Sequence, residues 1–213
     1  MRLYEIESLP KYDTLPKKAA HKFPQPTLSK REREAVKWWG EHGHDIINSK
    51  LRGIEPMFGA ATDDEIQQQM QKDYGFTMDT DEAISQFDSI MLHAPKRSKT
   101  IKVFRGERRA ERRQELSEME VGHSYVDSGY VAASLGPSTA FYSFTHGKGP
   151  LSMILVPPSV RGVYISSDAD EHLEMEFLID RGTRYTLLER RMIPNRNRGW
   201  DDLLLLVWQA GAH

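Results

Sequence analysis

The pattern of apolar residues changes near Thr100, and this change limits what the chain can fold into. Before it, apolar residues recur at the three- and four-residue spacing of amphipathic helices. After it, they come in short runs bounded by Gly, Pro, Asp and Ser. The runs read TIKVFRG, PLSMILVP, GVYIS, EMEFLID, TRYTLL and DLLLLVW. Helices followed by many strands predict an α+β domain in which N-terminal helices pack on a two-sheet β core.

Capping patterns mark where the helices of the first half begin. Ser29 with Glu32 has the spacing of a capping box, and Asp79 with Glu82 marks a later helix start. Two glycines interrupt the segment that follows the capping box, so we predict two short helices there. Residues 1–29 contain four prolines among polar residues, which disfavour helix. We therefore expect an extended arm over residues 1–29 and one domain over residues 30–213.

Composition excludes several functional classes. The 213 residues include no cysteine, so a disulfide framework, a thiolate zinc site and a cysteine nucleophile are all ruled out. The chain starts without an apolar signal core, and its longest apolar run is far shorter than the ~20 residues of a membrane helix, so we expect neither a signal peptide nor a transmembrane segment. The net charge of -2 gives no global attraction for nucleic acid, although a local arginine cluster lies between Arg105 and Arg113.

Two glutamates stand two residues apart in the segment EHLEMEFLID. The alternation of a strand places Glu174 and Glu176 on one face and Phe177 with Ile179 on the other. The two carboxylates would then lie roughly 6 to 7 Å apart at the backbone and address one centre from the same side. Surface strands often carry alternating glutamates, so this pattern alone is also that of a solvated sheet face.

An arginine ends the first of the short apolar runs. In TIKVFRG, strand alternation puts Ile101, Val103 and Arg105 on one face, just before a glycine turn. A guanidinium that follows two apolar positions needs an anionic partner, which is either a structural carboxylate or a phosphate bound by the planar fork. The block GYVAASLG, between this arginine and the two glutamates, has the small residues of an ordinary strand and turn.

Taken together, VFRG, GYVAASLG and EMEFLIDRGTRY resemble, in this order, the three signature blocks of the Arg-Ser-Glu mono-ADP-ribosyltransferases, a group with bacterial toxin and phage members. Upstream, WWGEHGHDIINSKLRG resembles the helical block that covers bound NAD+, and ILVPPSVRGVYIS resembles the strands before the paired glutamates. The resemblance spans roughly residues 30 to 190. It implies an ADP-ribosyltransferase-like fold and NAD+ as a substrate, with no resident cofactor.

The resemblance also implies roles for three residues. Arg105 would hold an NAD+ phosphate, a task that suits a permanently charged fork. Glu176 aligns with the catalytic glutamate, which bonds the ribose 2′-hydroxyl and stabilises the positive charge that develops as nicotinamide leaves. Glu174 occupies the position that governs the acceptor, and glutamate there accompanies arginine-modifying members. The expected acceptor is therefore an arginine side chain of a target protein.

Further residues are implied to line the NAD+ site. They are Gly106, Trp39, His44, Asn48, Gly129, Ala132, Ser134 and Phe141. Either Phe141 or Phe144 would pack on nicotinamide, although a structural aromatic pair fits the sequence equally well. His42 and His44 lack a third convergent ligand, so we predict no metal site.

The middle block departs from the family pattern. Where Ser-Thr-Ser is usual, this chain has Ala132, Ala133 and Ser134. The first serine normally helps to position the catalytic glutamate, so its loss would slow turnover or mark a chain without catalysis. Because Arg105, Glu174 and Glu176 are all present, we expect an active enzyme in which Ser134 or a water holds Glu176.

The sequence leaves three hypotheses open. The first is an arginine ADP-ribosyltransferase that acts as a toxin or effector in the cytoplasm of a target or host cell. The second is an NAD+ glycohydrolase or a transferase with a nucleic-acid acceptor, which the arginine cluster keeps open for RNA and the low net charge disfavours. The third is a catalytically silent NAD+-binding module. None of them involves a membrane.

Overall fold

Helices make up the first part of the domain, as the sequence predicts. The structure is a computed structural model that describes residues 26–54, 63–145, 147–165, 176–195 and 202–211. Before the first strand it has α1 Lys30–Trp38, α2 His44–Arg52, α3 Asp63–Tyr74 and α4 Thr80–Leu92. None of the helices in these ranges has both the length and the apolar character needed to cross a membrane.

The predicted helix starts are confirmed. The Ser29 hydroxyl accepts the N–H of Glu32, whose carboxylate accepts the N–H of Ser29 in return, which completes a capping box. The Asp79 side chain caps α4 by accepting the N–H of Glu82 at 2.7 Å. The predicted break between the first two helices is instead a π-helical turn, Trp39–Gly43. Gly43 packs against the carbonyl of Trp38, where a side chain would collide.

Strands dominate the second part. They are β1 Ile101–Arg105, β2 Ser124–Val126, β3 Val131–Ser134, β4 Leu151–Val156, β5 Gly162–Ile165, β6 Glu176–Ile179, β7 Arg184–Ile193 and β8 Leu203–Gly211. Each of the six apolar runs contains a strand. Two helices interrupt this part: α5 Ala110–Glu118 follows β1, and α6 Pro137–Thr139 continues into a π-helical turn, Ala140–Phe144.

The strands of the described residues form one eight-stranded sheet in the order β2-β7-β8-β4-β1-β3-β6-β5. One residue pair, Phe104 with Ser134, joins β1 to β3. Side chains from both sides of this joint, such as Val103 of β1, Phe177 of β6 and Leu206 of β8, share one buried cluster. The sheet is therefore folded at β1/β3 into two halves that enclose a common core, and the predicted α+β fold is confirmed.

The helices cover the outer face of the smaller half, β3-β6-β5. Trp38, Trp39 and Phe87 from the helical part bury against Tyr130, which precedes β3, and Leu178 of β6. This packing places the turn between α1 and α2 beside the first residue of β6. It brings the helical and strand blocks of the sequence together.

Candidate active site

Glu176 begins β6 and faces the helices. Leu178, two residues later, lies in the cluster under the helices, whereas Phe177 and Ile179 lie in the core between the two sheet halves. The alternation predicted from the sequence is thus confirmed for the described part of this strand. The Glu176 carboxylate is partly buried and accepts a hydrogen bond from Nε1 of Trp39, at 3.2 Å to Oε1 and 3.3 Å to Oε2.

Trp39 reaches Glu176 from the π-helical turn. Its ring packs against Phe87 and Tyr130, with ring centres 5.0 and 6.1 Å away, and only 2% of the residue is exposed. His44 lies on the same side, with its ring centre 6.0 Å from that of Trp39 and its Nδ1 3.2 Å from the Trp39 carbonyl oxygen. Trp39, His44 and Glu176, all predicted site residues, are therefore neighbours.

Arg105 ends β1 at the point where β1 and β3 separate. Its Nη1 donates to the carbonyl oxygen of Ala132 at 3.1 Å and so bridges the two strands beyond their single residue pair. Burial alone would lower the pKa of Arg105, but the carboxylates of Glu107 and Asp127 raise it above its usual value. The guanidinium is thus fixed in its charged form beside β3.

Asp127 organises the loop before β3. It accepts Nε of Arg52 at 2.8 Å and Nη2 at 3.1 Å, and its Oδ1 also accepts the N–H of Gly129 at 3.0 Å. Two arginines, Arg52 from α2 and Arg105 from β1, therefore interact with one carboxylate. Asp127 is not among the site residues predicted from the sequence. The Asp-Ser-Gly triplet could have indicated it, because an aspartate often accepts the backbone N–H two residues on in such a turn.

Asn48 and Gly129 are in contact. Asn48 is buried on α2, and a Cβ atom added to Gly129 would lie 2.5 Å from its Oδ1. Within the described ranges, this Oδ1 has no hydrogen-bond partner. Glycine is required at position 129 because the asparagine and the Arg52 guanidinium approach the backbone so closely.

Ala132 and Ser134 lie on the strand next to Glu176. Ser134 pairs with Glu176 across the β3/β6 ladder, and Ala132 pairs with Leu178. Ser134 is 2% exposed, and its hydroxyl accepts the N–H of Gly136 at 3.0 Å. Independently of Ser134, the indole N–H of Trp39 donates to Glu176, although the sequence predicted a different role for Trp39.

We expect that Ala132→Ser changes the turnover of NAD+ by no more than about threefold, because Glu176 already receives an N–H bond and gains little from a second donor. Steady-state rates of NAD+ consumption by wild type and variant provide the measurement. Negligible wild-type activity that serine restores by a factor of ten or more would contradict this expectation and show that the missing hydroxyl disabled the enzyme.

Gly106 and Phe141 lie where the π-helical turn Ala140–Phe144 packs on β1. A Cβ atom on Gly106 would lie 2.3 Å from the carbonyl oxygen of Ala140, so glycine lets the π-helical turn pack on the end of β1. Phe141 is 2% exposed and packs with Phe104 in a third apolar cluster, on the face of β1 opposite Arg105. Phe144, the alternative aromatic residue, is partly exposed, with the Arg108 guanidinium 5.3 Å from its ring centre.

A second polar cluster fixes the helices on the sheet. Asp88 of α4 accepts Nε and Nη2 of Arg181 at 2.7 and 2.6 Å and the hydroxyl of Tyr130 at 2.7 Å. Burial would raise the pKa of Asp88, but the hydrogen bonds from Arg181 and Tyr130 hold it below its usual value. Burial, aided by Asp88, raises the pKa of Tyr130 far above its usual value. The cluster ties α4 to the strands that carry the site.

Two expectations concern residues beyond the described ranges. Glu174, which is predicted to govern the choice of acceptor, lies outside them, as does most of the proline-containing arm. The side chain of His42 is not described either. Within the described residues, no three histidine, aspartate or glutamate side chains are grouped as metal ligands would be.

The sequence as a whole matches a known family. The model of the ADP-ribosyltransferase exoenzymes aligns with residues 16–204. The chain belongs to this family. The match to the exoenzymes begins inside the segment that we separated as an arm, so the division at residue 29 stays a prediction. A comparison with curated proteins gave no match.

Bacterial toxins of the Arg-Ser-Glu group have the same fold as this exoenzyme family member. The C3 exoenzyme of Clostridium limosum superimposes with a TM-score of 0.64 and 17% identity over 92% of this chain and 94% of that one. Exoenzyme S from Pseudomonas aeruginosa, solved with human 14-3-3 protein beta and carba-NAD, gives 0.57 and 19% over 85% and 74%. The toxin BECa of C. perfringens, solved with NADH, gives 0.61 and 16% over 86% and 44%.

Proposed function

We propose that the protein cleaves NAD+ between nicotinamide and ribose and transfers the ADP-ribose to an arginine side chain. The observation that supports this best is that a carboxylate and a guanidinium are each held by a hydrogen bond on nearby strands. Glu176 is held at the start of β6 by an indole N–H, and Arg105 is held at the end of β1 by a carbonyl of the strand between them. Carba-NAD is bound in the solved structure of exoenzyme S, and NADH in that of BECa, which share the fold.

The cationic side of the site suits the NAD+ phosphates. Arg105 and Arg52 both interact with Asp127, which lies in the loop that precedes β3. A guanidinium keeps its charge at any physiological pH and binds phosphate oxygens through parallel N–H bonds. In our proposal, Arg105 binds a phosphate and so fixes the nicotinamide ribose near Glu176.

The anionic side suits the bond that breaks. As the bond between ribose C1′ and the nicotinamide nitrogen lengthens, its electron pair leaves with nicotinamide and the ribose becomes positively charged. The Glu176 carboxylate, already oriented by Trp39, stabilises this charge and accepts a hydrogen bond from the ribose 2′-hydroxyl. A nitrogen of the acceptor guanidinium then attacks C1′ and loses one proton.

Glu174 is the residue that we propose binds the acceptor arginine. It stands two positions before Glu176, so strand alternation would present it on the same face. A guanidinium is attracted to a carboxylate and must give up a proton as it forms the new bond. Because its own pKa lies far above physiological pH, it needs a base to accept that proton. Glu174 would orient the guanidinium and take that proton.

The test of this function follows the label from NAD+ that is radioactive in its adenylate half. Purified protein is incubated with the labelled NAD+ in three separate reactions. The first contains a mixture of arginine-containing proteins, the second contains RNA, and the third contains no acceptor other than water. We expect label on arginine side chains of protein. Label in RNA or only in free ADP-ribose would favour the second hypothesis, and unreacted NAD+ in every reaction would overturn the proposal in favour of a silent module.

A substitution at position 174 separates acceptor handling from NAD+ cleavage. We expect Glu174→Gln to reduce arginine labelling at least tenfold while NAD+ hydrolysis stays within about threefold of wild type, since an amide cannot accept the proton but does not touch the leaving group. Measuring both activities on the same protein samples tests this. Equal loss of the two activities would show that the division of roles between the glutamates is wrong.

A further inference from the structure

We propose that Trp39 is a positioning residue for Glu176, supplying from the helical layer the N–H that orients this carboxylate. The inference rests on the proposed function, because it assigns the task of Trp39 in the reaction of Glu176. It replaces the expectation that Trp39 contacts NAD+ directly. The geometry on both sides of the carboxylate supports it.

The Trp39 indole is fixed before any substrate arrives. Only 2% of the residue is exposed, and Phe87, Tyr130 and His44 surround the ring. So little of its surface is free that stacking on a ligand would require the aromatic cluster to open. The indole N–H can donate but cannot accept, so its contacts of 3.2 and 3.3 Å with Glu176 set the orientation of the two carboxylate oxygens.

The neighbouring strand presents a methyl group and a hydroxyl group on the face of the carboxylate. On the face of β3 that Glu176 shares, Ala132 ends in a methyl group, and Ser134 directs its hydroxyl oxygen to the N–H of Gly136. Ala132 lies two residue pairs along the ladder from Glu176, on the same face, a diagonal that a long side chain can span. A hydroxyl at position 132 would therefore approach the Glu176 carboxylate from the sheet, whereas Trp39 approaches it from the helices.

The chain contains its own control for the loss of an indole N–H. Trp38 is the adjacent residue, is 1% exposed and belongs to the same apolar cluster. Among the residues that the structure describes, nothing accepts a hydrogen bond from its Nε1. Trp38→Phe and Trp39→Phe thus remove the same atoms from the same core, and only the second removes a bond to Glu176.

The experiment compares steady-state NAD+ cleavage by wild type, Trp39→Phe and Trp38→Phe. We expect kcat to fall roughly ten- to a hundredfold in Trp39→Phe, as for the loss of a hydrogen bond to a charged group, with KM for NAD+ within about threefold. Trp38→Phe should keep kcat within about threefold of wild type. Equal kcat in the two variants, or a loss confined to KM, would overturn the proposal.

Rescue from the sheet side completes the test. Adding Ala132→Ser to Trp39→Phe should raise kcat about tenfold, although the same change has little effect in wild type, because the new hydroxyl replaces the lost donor. Identical factors in the two backgrounds would contradict a shared role at Glu176. Glu176→Gln is assayed alongside to separate the two proposals. A wild-type protein that does not cleave NAD+ would refute the proposed function. If wild type is active, Glu176→Gln is not, and Trp39→Phe keeps the wild-type rate, only this inference is refuted.

Discussion

Replacement of Glu176 by glutamine is expected to reduce both NAD+ cleavage and ADP-ribose transfer by roughly a hundred- to a thousandfold, while the fold is retained. The amide has the shape of the carboxylate and can still accept the Trp39 N–H through its oxygen. It carries no charge, however, and so cannot stabilise the positive ribose that forms as nicotinamide leaves. The effect should therefore appear in kcat, with little change in KM for NAD+.

The measurement for Glu176→Gln is NAD+ consumption and protein labelling, together with the thermal unfolding midpoint. Glu189→Gln serves as a matched control, since Glu189 is a partly buried glutamate that pairs with Arg191 on β7, in the other half of the sheet. This control should retain wild-type rates. A folded Glu176→Gln protein that cleaves NAD+ at the wild-type rate would refute the assigned reaction.

Local sequence signals account for most of the fold. The two helix caps were predictable because Ser29 and Asp79 bond backbone groups only three residues away. The six short apolar runs were predictable as strands because each one buries side chains in a core that alternation or continuous hydrophobicity reveals. Signals of this kind depend on neighbours in the chain, which a single sequence contains.

Elements without such signals escaped prediction. Strand β2 has three residues and no buried position, and it exists because it pairs with β7, where the Ser124 and Thr186 hydroxyls lie 2.8 Å apart. Helix α5 buries one residue, Leu116, so its apolar spacing is unreadable among the surrounding charges. Both depend on tertiary contacts more than on their own sequences.

The same limit applies to the candidate site. The orientation of Glu176 follows from strand alternation and was predictable. Its bond with Trp39 joins residues 137 positions apart and requires the π-helical turn, which no local pattern indicated. Likewise, the sequence required a partner for Arg105 but left open whether it is a carboxylate or a phosphate. In the structure, the Arg105 guanidinium donates to a backbone carbonyl and interacts electrostatically with Asp127. Our proposal adds an NAD+ phosphate to these partners.

Substitution of Arg105 by lysine tests that placement, and we expect kcat/KM for NAD+ to fall on the order of a hundredfold. A guanidinium can donate to the Ala132 carbonyl through Nη1 and still present its other N–H groups to a phosphate. An ammonium keeps the charge but concentrates its donors on one nitrogen at the end of a flexible chain. Lysine would therefore bind the carbonyl or the phosphate, with poor geometry for both together.

A matched substitution separates this loss from a general effect of replacing arginine. Arg190 on β7 also donates to backbone carbonyls, those of Met119 and Ser117, but it is exposed and lies in the larger half of the sheet. Arg190→Lys should leave kcat/KM within about threefold of wild type. The loss in Arg105→Lys should appear mainly as a raised KM, because a phosphate contact acts in both the bound substrate and the transition state. Wild-type kcat/KM in a folded Arg105→Lys protein would show that charge alone suffices at the end of β1, and that the planar fork has no part in binding NAD+.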